Sequence, residues 1–224
     1  MTDSSIFNKV RACADQIAMR FNATGSVAEI HQDPSWGIND IVFTSPSYRR
    51  AHISIIDARE SKKLYLLHTT IFPHTNDPSP IFGFDIIAGP NKVSGAFHDF
   101  SLPGYIDHPM FNWFAEQTAE LEWNRRRELP EWAQSIFSKH MVAIGAVGET
   151  ELDSFVRLGL NNLDHYLKEV GKTQQDVATY DDLQNYYCRQ QRLNPQTPKV
   201  LVNLGFTEEQ AKLFVDENLF PEIG

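Results

Sequence analysis

Apolar residues recur along the chain in two different patterns, and each pattern predicts a different kind of element. Between residues 6 and 21 they recur at intervals of three or four, which predicts an amphipathic helix over Ile6–Phe21. Residues 26–100 instead hold short apolar runs separated by Pro, Gly, Asn and Asp, which is typical of strands joined by turns. The six predicted strands are Ser26–His31, Ile38–Thr44, Ala51–Asp57, Lys63–Phe72, Ile81–Ala88 and Val93–Phe100.

The second half of the chain is predicted to be mainly helical, with a capping box opening the last helix at Thr207. The predicted helices are His108–Glu128, Glu131–Phe137, Thr150–Val170, Asp181–Arg192, Pro198–Leu204 and Thr207–Leu219. Short connections between the strands predict an antiparallel sheet. Several strands are apolar on both faces, so we expect other elements to pack on both faces of the sheet. We therefore expect an α+β fold, with helices on both faces of a central antiparallel sheet, in a single domain over residues 1–224.

Composition and charge exclude several classes of function. A net charge of −9 argues against a basic nucleic-acid-binding protein. The sequence has neither a run of roughly 20 apolar residues that would span a membrane nor a signal peptide at its start. Cys13 and Cys188 stand apart without metal-ligand spacing, which favours a reducing compartment. With no zipper pattern either, we expect a cytoplasmic monomer without a membrane or nucleic-acid partner.

Three ionisable residues interrupt the apolar strands and are the leading candidates for chemistry. Strand alternation places His68 on one face of its strand, Asp85 on one face of the next, and His52 on a strand before them. Two histidines and an aspartate directed at one cavity suggest an acid–base site or a metal triad. No metal-ligand motif surrounds them, which disfavours metal. The alternative is structural: core histidines and an aspartate whose hydrogen bonds are satisfied.

Around these residues the sequence resembles the ferredoxin-dependent bilin reductases. The specific signature is Leu67-His68, then PIFGFDIIAGP from Pro80 to Pro90, then Val93-Ser94 with Ala96. Further matches follow in order at Arg50-Ala51-His52, Arg127-Glu128-Leu129-Pro130, Trp132, Tyr187-Cys188, Gln190-Gln191, Asn194 and Asn218-Leu219-Phe220. The resemblance implies an α/β/α sandwich that binds biliverdin between the sheet and the C-terminal helices.

The resemblance also implies roles for individual residues. Members of this family carry no flavin, metal or nicotinamide; single electrons arrive from reduced ferredoxin, and each is matched by protonation of the bilin through radical intermediates. Asp85 corresponds to the catalytic aspartate, and its apolar neighbours disfavour the charged carboxylate. His68 corresponds to the histidine that faces the bilin lactam oxygens, and His52 to a second histidine bonded to that network. Asn194 corresponds to a polar group on the helix side of the site.

Substrate-binding positions show both agreement with the family and departures from it. Ser94 and Arg127 correspond to positions associated with the bilin propionates, which an arginine would orient by a charge-assisted pair. Members that form phycocyanobilin have a glutamate, tied to reduction of the D-ring vinyl group, where this chain has Ser54. In the family, Asp-Lys commonly follows the position of Asn194. This chain has Pro195-Gln196 there, so it lacks one cation that would pair with a propionate.

The similarity is greatest to phycocyanobilin-forming members, so we expect a four-electron reduction of biliverdin to phycocyanobilin. Members that form phycoerythrobilin also lack the glutamate, which makes phycoerythrobilin the alternative product. A bilin carrier that kept the pocket but lost the chemistry is the alternative outside enzymes, and the intact His52, His68 and Asp85 argue against it.

A strongly acidic ferredoxin needs a locally basic docking face. Basic residues near one sheet edge are the predicted face, with Arg125–Arg127 extending it. They are Arg49, Arg50, Arg59, Lys62 and Lys63. The alternative is that these are ordinary solubilising charges.

Overall fold

The strands form one continuous antiparallel meander. The computed structural model describes residues 4–101, 108–176 and 179–224. Within these ranges, seven strands make a single sheet in which each strand pairs with the next along the chain. They are β1 (Ser26–Asp33), β2 (Ile38–Thr44), β3 (Tyr48–Ala58), β4 (Leu64–Pro73), β5 (Ile81–Ala88), β6 (Val93–Ser101) and β7 (Val142–Ile144). The six predicted strands are confirmed, and β7 adds a three-residue edge that is too short to show alternation.

Helices precede and follow the sheet. They are α1 (Ser5–Thr24), α2 (Pro109–Ala119), α3 (Glu131–Gln134), α4 (Glu149–Glu169), α5 (Asp181–Gln191), α6 (Gln196–Leu204) and α7 (Glu208–Leu213), which continues as a π-helix over Phe214–Leu219. The capping box at Thr207 is present, with Gln210 as its second member. No helix in the described part of the chain is long and apolar enough to cross a membrane.

The predicted helix His108–Glu128 is wrong in its second half. Helix α2 ends at Ala119, and the chain then runs alongside β7. There the Arg127 amide donates to the Ala143 carbonyl and the Gly145 amide to the Arg125 carbonyl. These backbone groups pair with an exposed strand edge instead of with one another, so tertiary context overrides the local helical pattern.

Helices cover both faces of the sheet, as the sequence predicts. On one face α1, α2 and α4 pack on apolar residues of β3–β6, including Ile53, Leu67 and Phe84. On the other face α3, α5, α6, α7 and the π-helix form a smaller core around Phe72 and Ile81. Strand alternation sends neighbouring residues into different cores, which produces the three-layer α/β/α arrangement.

Helix α4 approaches the sheet closely because Gly159 carries no side chain. The Phe84 ring of β5 stacks on Phe155 with 4.9 Å between ring centroids, and it fills the space beside Gly159. A Cβ atom at Gly159 would overlap that ring. Since Phe84 is adjacent to Asp85 in β5, this contact helps to fix the strand that carries the candidate carboxylate.

We predict that Gly159→Ala lowers the free energy of unfolding by about 1–2 kcal/mol, because overpacking costs more than the gain in helix propensity. Urea denaturation measures the change. Gly148→Ala at the start of α4 is the control, since no atom lies within 4 Å of a Cβ placed there. A Gly159→Ala protein as stable as the wild type would contradict the close packing.

Candidate active site

A cavity of about 440 Å³ separates the second face of the sheet from the C-terminal helices. Its floor comes from β3–β6 and includes Ser54, Leu66, His68, Thr70, Gly83, Asp85, Ile87, Phe97 and Asp99. Its roof includes Tyr187, Gln191, Asn194, Val200, Leu201, Phe214, Leu219 and Phe220. Apolar walls with a few convergent polar groups are typical of a site for a small organic ligand.

The polar groups of the floor lie in a row that crosses the sheet. Residues directly opposite one another in the strand pairing are Asp40 and Ser54, Ser54 and His68, His68 and Asp85, and then Asp85 and Phe97. Because all five are in register, their side chains emerge on the same face of β2–β6. The row delivers ionisable groups to one side of the cavity.

His68 and Asp85 form the centre of this row. The His68 Nδ1 atom lies 2.5 Å from Asp85 Oδ1, a hydrogen bond between an imidazole and a carboxyl group. Both groups line the cavity, and 17% of the His68 side chain and 36% of that of Asp85 are exposed. Asp85 is therefore half-buried at the cavity floor, where the sequence suggested a buried carboxylate. The pair can hold and exchange a proton next to a bound ligand.

His52 lies behind this pair and does not line the cavity. Its ring is buried and meets the His68 ring edge-on, with 5.9 Å between centroids. Burial lowers the pKa of His52 well below its usual value, and the charges of Arg50 and His68 lower it further. The imidazole is thus neutral at physiological pH. Neither ring nitrogen has a hydrogen-bond partner among the described residues.

The other predicted site residues divide between the floor, one end and the roof. Ser54 is buried in the floor, and Ser94 lies at one end beside Arg127. The Arg127 guanidinium donates to the Ser94 carbonyl and lies over the Phe97 ring. Asn194 lines the roof, where its amide oxygen accepts from the Gln196 amide and its Nδ2 donates to Thr197 Oγ1. The structure therefore brings every predicted residue except His52 to the cavity wall.

Asp40 is a buried acid that the sequence analysis missed. Its carboxyl is buried next to His52, with 3.9 Å between Asp40 Oδ1 and His52 Nε2. Burial raises the pKa of Asp40, while hydrogen bonds from Ser54 and Asn218 lower it in part. The signal was present: Ile38, Asp40 and Val42 share one face of β2, and the two flanking positions are apolar and buried. An ionisable residue between them is the same pattern that identified His68.

Asp99 is a second buried acid, and its environment differs from that of Asp40. It accepts hydrogen bonds from the Ser138 amide at 2.9 Å, from Ser138 Oγ at 2.5 Å and from Ser101 Oγ at 3.0 Å. Burial nevertheless raises the pKa of Asp99 to about 6. Its neighbour His98 points to the other face, bonds the Gly83 carbonyl, and has its pKa lowered to about 4 by burial. His98 and Asp99 therefore lie on opposite faces of β6, as strand alternation requires.

The basic residues predicted to form a docking face do not act as one group. Arg49 and Arg50 turn inward: Arg49 bonds the Gln184 side chain and lies over Phe72, and Arg50 donates to the Asn218 carbonyl. Burial lowers the pKa of both. Their inclusion in an exposed patch is therefore wrong, because a register shift in β3 between Tyr48 and Arg50 lets both side chains reach α5 and the π-helix on the same face of the sheet.

A separate group of exposed cations lies beside one end of the cavity. Lys92, Arg125, Arg126 and Arg127 line one surface recess, together with Ser94. The exposed Lys62 and Lys63 lie in the β3–β4 turn, next to the β5–β6 turn that carries Lys92. We call these six residues the basic end. Within the described ranges, no three His, Cys, Asp or Glu side chains are arranged to hold a metal ion.

Comparison with known proteins gives consistent matches. The family model described as ferredoxin-dependent bilin reductase matches residues 13–221. A phycocyanobilin:ferredoxin oxidoreductase from Synechococcus sp. (strain CC9605) is 31% identical over 201 residues, covering 82% of this chain and 75% of the relative. A protein of the same name from Prochlorococcus marinus (strain MIT 9313) is 34% identical over 180 residues, covering 78% and 67%.

Solved structures agree with the fold. The structure of PcyX matches with a TM-score of 0.70 at 28% identity, covering 96% of this chain and 99% of that one. Phytochromobilin synthase from tomato, in complex with biliverdin, matches with a TM-score of 0.70 at 13% identity, covering 94% and 82%. The expected α/β/α sandwich is confirmed.

The environment of Asp99 predicts a pH-dependent stability effect for Ser138→Ala. The pKa of Asp99 in the folded protein is about 6, above its reference value of 3.8, so its contribution to stability is lost as pH rises through 6. Removing the Ser138 hydroxyl takes away a donor to the charged form and raises the pKa of Asp99 further. We expect the variant to lose about 1–3 kcal/mol of unfolding free energy at pH 8 and clearly less at pH 5.

Urea denaturation at the two pH values measures this difference. Ser135→Ala is the control: its exposed hydroxyl donates to the Trp132 carbonyl, so its loss should have a small effect at both pH values. A Ser138→Ala deficit that is equal at pH 5 and pH 8 would mean that Asp99 does not titrate between them.

Proposed function

The chain belongs to the ferredoxin-dependent bilin reductase family, and from this we propose that it reduces biliverdin to phycocyanobilin. As a family member it is an oxidoreductase whose electrons come from ferredoxin. The single observation that carries the proposed reaction is the His68–Asp85 pair, hydrogen-bonded at 2.5 Å on the floor of an otherwise largely apolar cavity. A reductase that adds protons to its substrate needs such a pair, and a carrier does not.

The cavity suits a flat, largely apolar tetrapyrrole with polar edges. Apolar side chains such as Leu66 and Phe220 can contact the ring faces from floor and roof. The His68–Asp85 pair then meets the lactam oxygens and ring nitrogens. Biliverdin occupies the tomato enzyme that shares this fold, which supports the same substrate here. Polar contacts would orient the molecule, while apolar burial supplies most of the affinity.

Arg127 and Ser94 would bind the propionates at the end of the cavity. In the structure one Arg127 N–H group donates to the Ser94 carbonyl. Guanidinium has five N–H donors, so others remain for a carboxylate. Asn194, with its amide engaged by Gln196 and Thr197, supplies a fixed polar group on the roof.

In the proposed reaction, proton transfer follows each electron. Each electron from ferredoxin adds a negative charge to the bilin, and the His68–Asp85 pair neutralises this charge by giving a proton. Four electrons and four protons reduce two double bonds, through radical intermediates after the odd-numbered electrons. The desolvated cavity strengthens these electrostatic interactions and excludes competing proton exchange with water. No resident cofactor is needed, because ferredoxin supplies the electrons.

Phycoerythrobilin is the second candidate product, and Ser54 is the observation that favours it. The hydroxyl of Ser54 is a far weaker acid than a glutamate and cannot donate a proton in the same way. The relatives named above are phycocyanobilin:ferredoxin oxidoreductases, which favours phycocyanobilin. The proposal further places the whole chain in one domain that acts as a monomer in the cytoplasm.

Anaerobic turnover with biliverdin, ferredoxin and a ferredoxin reductase tests the reaction. We expect stepwise loss of the biliverdin spectrum and phycocyanobilin as the product. For Asp85→Asn we expect unchanged biliverdin affinity, because the amide has the same shape, and turnover reduced by about 10²–10⁴-fold, because it cannot donate the proton.

Product identification by chromatography separates phycocyanobilin from phycoerythrobilin. Asp164→Asn is the matched control, because this exposed carboxylate pairs with Arg20 on the opposite side of the sheet and should leave turnover unchanged. Binding without any spectral change in the wild type would favour a carrier, and full activity of Asp85→Asn would remove Asp85 from the proposed chemistry.

The basic end is the proposed docking site for ferredoxin. Its cations adjoin the end of the cavity that Arg127 and Ser94 line, so a partner bound there would lie close to the bilin. Complementary charge accelerates encounter between proteins, and salt screens it over a Debye length of about 8–10 Å at ordinary ionic strength.

We predict that turnover at sub-saturating ferredoxin falls roughly tenfold between about 20 and 200 mM salt, because screening slows electrostatically steered encounter. The double variant Lys92→Glu, Arg125→Glu should raise the KM for ferredoxin and weaken the salt dependence, with biliverdin affinity unchanged. The double variant Lys168→Glu, Lys172→Glu, which reverses two exposed charges at and just beyond the end of α4, changes the net charge by the same amount and is the control. A KM that is equally raised by the control would rule out a local docking site.

A further inference from the structure

Two carboxyl–imidazole pairs lie side by side beneath the cavity, and the proposed reaction uses just one of them directly. We call His68 and Asp85 the front pair, because both line the cavity. We call Asp40 and His52 the rear pair, because both are buried behind it, with 3% and 0% of their surface exposed. The His52 and His68 rings connect the two pairs through their edge-on contact.

The rear pair differs from an ordinary buried acid. Asp77, for comparison, accepts from Ser79, Gly171 and Thr173, so that both of its carboxyl oxygens have donors. Such an arrangement stabilises a permanent negative charge, and it is typical of a structural aspartate.

In Asp40, by contrast, one carboxyl oxygen lacks a hydrogen-bond donor. Asn218 Nδ2 lies 3.4 Å from Oδ2, while Oδ1 has no hydrogen-bond partner among the described residues and faces His52 Nε2 at 3.9 Å. A movement of about 1 Å would bring these two atoms to hydrogen-bond distance. Burying an acid and a base together without a hydrogen bond between them costs free energy, and a role in proton transfer is a reason for keeping them there.

Burial also decides where that proton resides. It raises the pKa of Asp40 and lowers that of His52, so burial favours the neutral carboxylic acid beside the neutral imidazole over the charged pair. The groups facing Asp40 are His31 on β1, Arg50, His52 and the hydroxyl of Ser54 on β3, His68 on β4, and the amide of Asn218 on the π-helix.

We propose that Asp40 is a positioning residue that stores a proton and returns it through His52 to the front pair. In this step the Oδ1–H bond of Asp40 breaks and an N–H bond forms at His52 Nε2. His52 then releases a proton from its other ring nitrogen towards His68, whose Nε2 has no partner in the described ranges. One proton moves and no electrons do. Asp40 is left as a carboxylate and regains a proton from solvent before each further transfer within the same turnover.

The inference rests on the proposed function and explains a requirement of it. A four-proton reduction consumes more protons than one His–Asp pair holds, and a bound tetrapyrrole covers the front pair from the cavity side. Resupply must therefore come from behind the floor. Asp40 is the buried acid in that position, and it lies directly opposite Ser54 and His31 in the strand pairing.

Asp40→Asn tests the proposal in single-turnover reduction of bound biliverdin. The first spectral phase should stay within twofold of the wild type, because the front pair is already loaded. Later phases should slow by roughly 10- to 100-fold, because reloading has lost its proton donor. In the wild type the later rates should fall as pH rises through the titration of Asp40, and in the variant that pH dependence should disappear.

Asp164→Asn again serves as the matched control, and thermal unfolding of each variant checks folding. Equal slowing of all phases would indicate a structural role, and unchanged later phases would remove Asp40 from proton supply. Either result would overturn the proposal.

Nuclear magnetic resonance of the wild type gives an independent measurement that needs neither turnover nor a variant. Carboxyl-¹³C and imidazole-¹⁵N signals should show that the pKa of Asp40 lies above the usual range of an aspartate, with a coupled change at His52. An Asp40 that is ionised throughout pH 5–7 would overturn the proposal even if the variant failed to fold. If the wild type does not reduce biliverdin, the proposed function fails, while this titration still reports on the rear pair.

Discussion

The register of β2–β5 is the constraint on which the site depends. Side chains alternate with a period of two, so a slip of one residue in β4 would move His68 into the apolar core and bring Leu67 to the cavity. The irregularities in strand pairing fall at Val27/Glu29, Tyr48/Arg50 and Ile87/Ala88, outside the row that crosses from Asp40 to Asp85. Regular pairing is therefore kept where four successive strands must present polar groups on the same face.

The opposite face of the sheet provides the stability that this register needs. Phe84, adjacent to Asp85, stacks on Phe155 and fills the space beside Gly159, and His98 is held by hydrogen bonds to Gly83 and Asn162. Buried apolar contacts on this face outweigh the cost of ionisable groups on the other. The face that lines the cavity can contain unpartnered polar atoms because the opposite face of the same strands is fixed by packing.

Much of this arrangement could be predicted from sequence, because alternation is a local property. His68 and Asp85 interrupt apolar strands, and short turns make those strands neighbours, so their pairing followed from the pattern.

The end of α2 could not be predicted, since the segment around Arg127 bonds to an edge strand, β7, that is remote in sequence and only three residues long. Arg49 and Arg50 were misjudged for a similar reason: charge suggests exposure, but the helices that cover β3 are defined by tertiary packing. Asp40 was missed although its pattern matches that of His68, because two consecutive polar residues, Asn39 and Asp40, near the start of β2 are also typical of a solvent-exposed strand end.

The rear pair gives a physical context for Ser54. This residue lies between Asp40 and His68 in the cross-strand row, and its small side chain hydrogen-bonds Asp40. A glutamate here would add a third carboxyl group to a row that already holds Asp40 and Asp85. Neighbouring carboxyls disfavour one another's charged forms. The site therefore has a small hydroxyl at the centre of the row and an acid on the adjacent strand. In this sheet, a hydroxyl rather than an acid at position 54 of β3 is compatible with the carboxyl group that Asp40 contributes from β2.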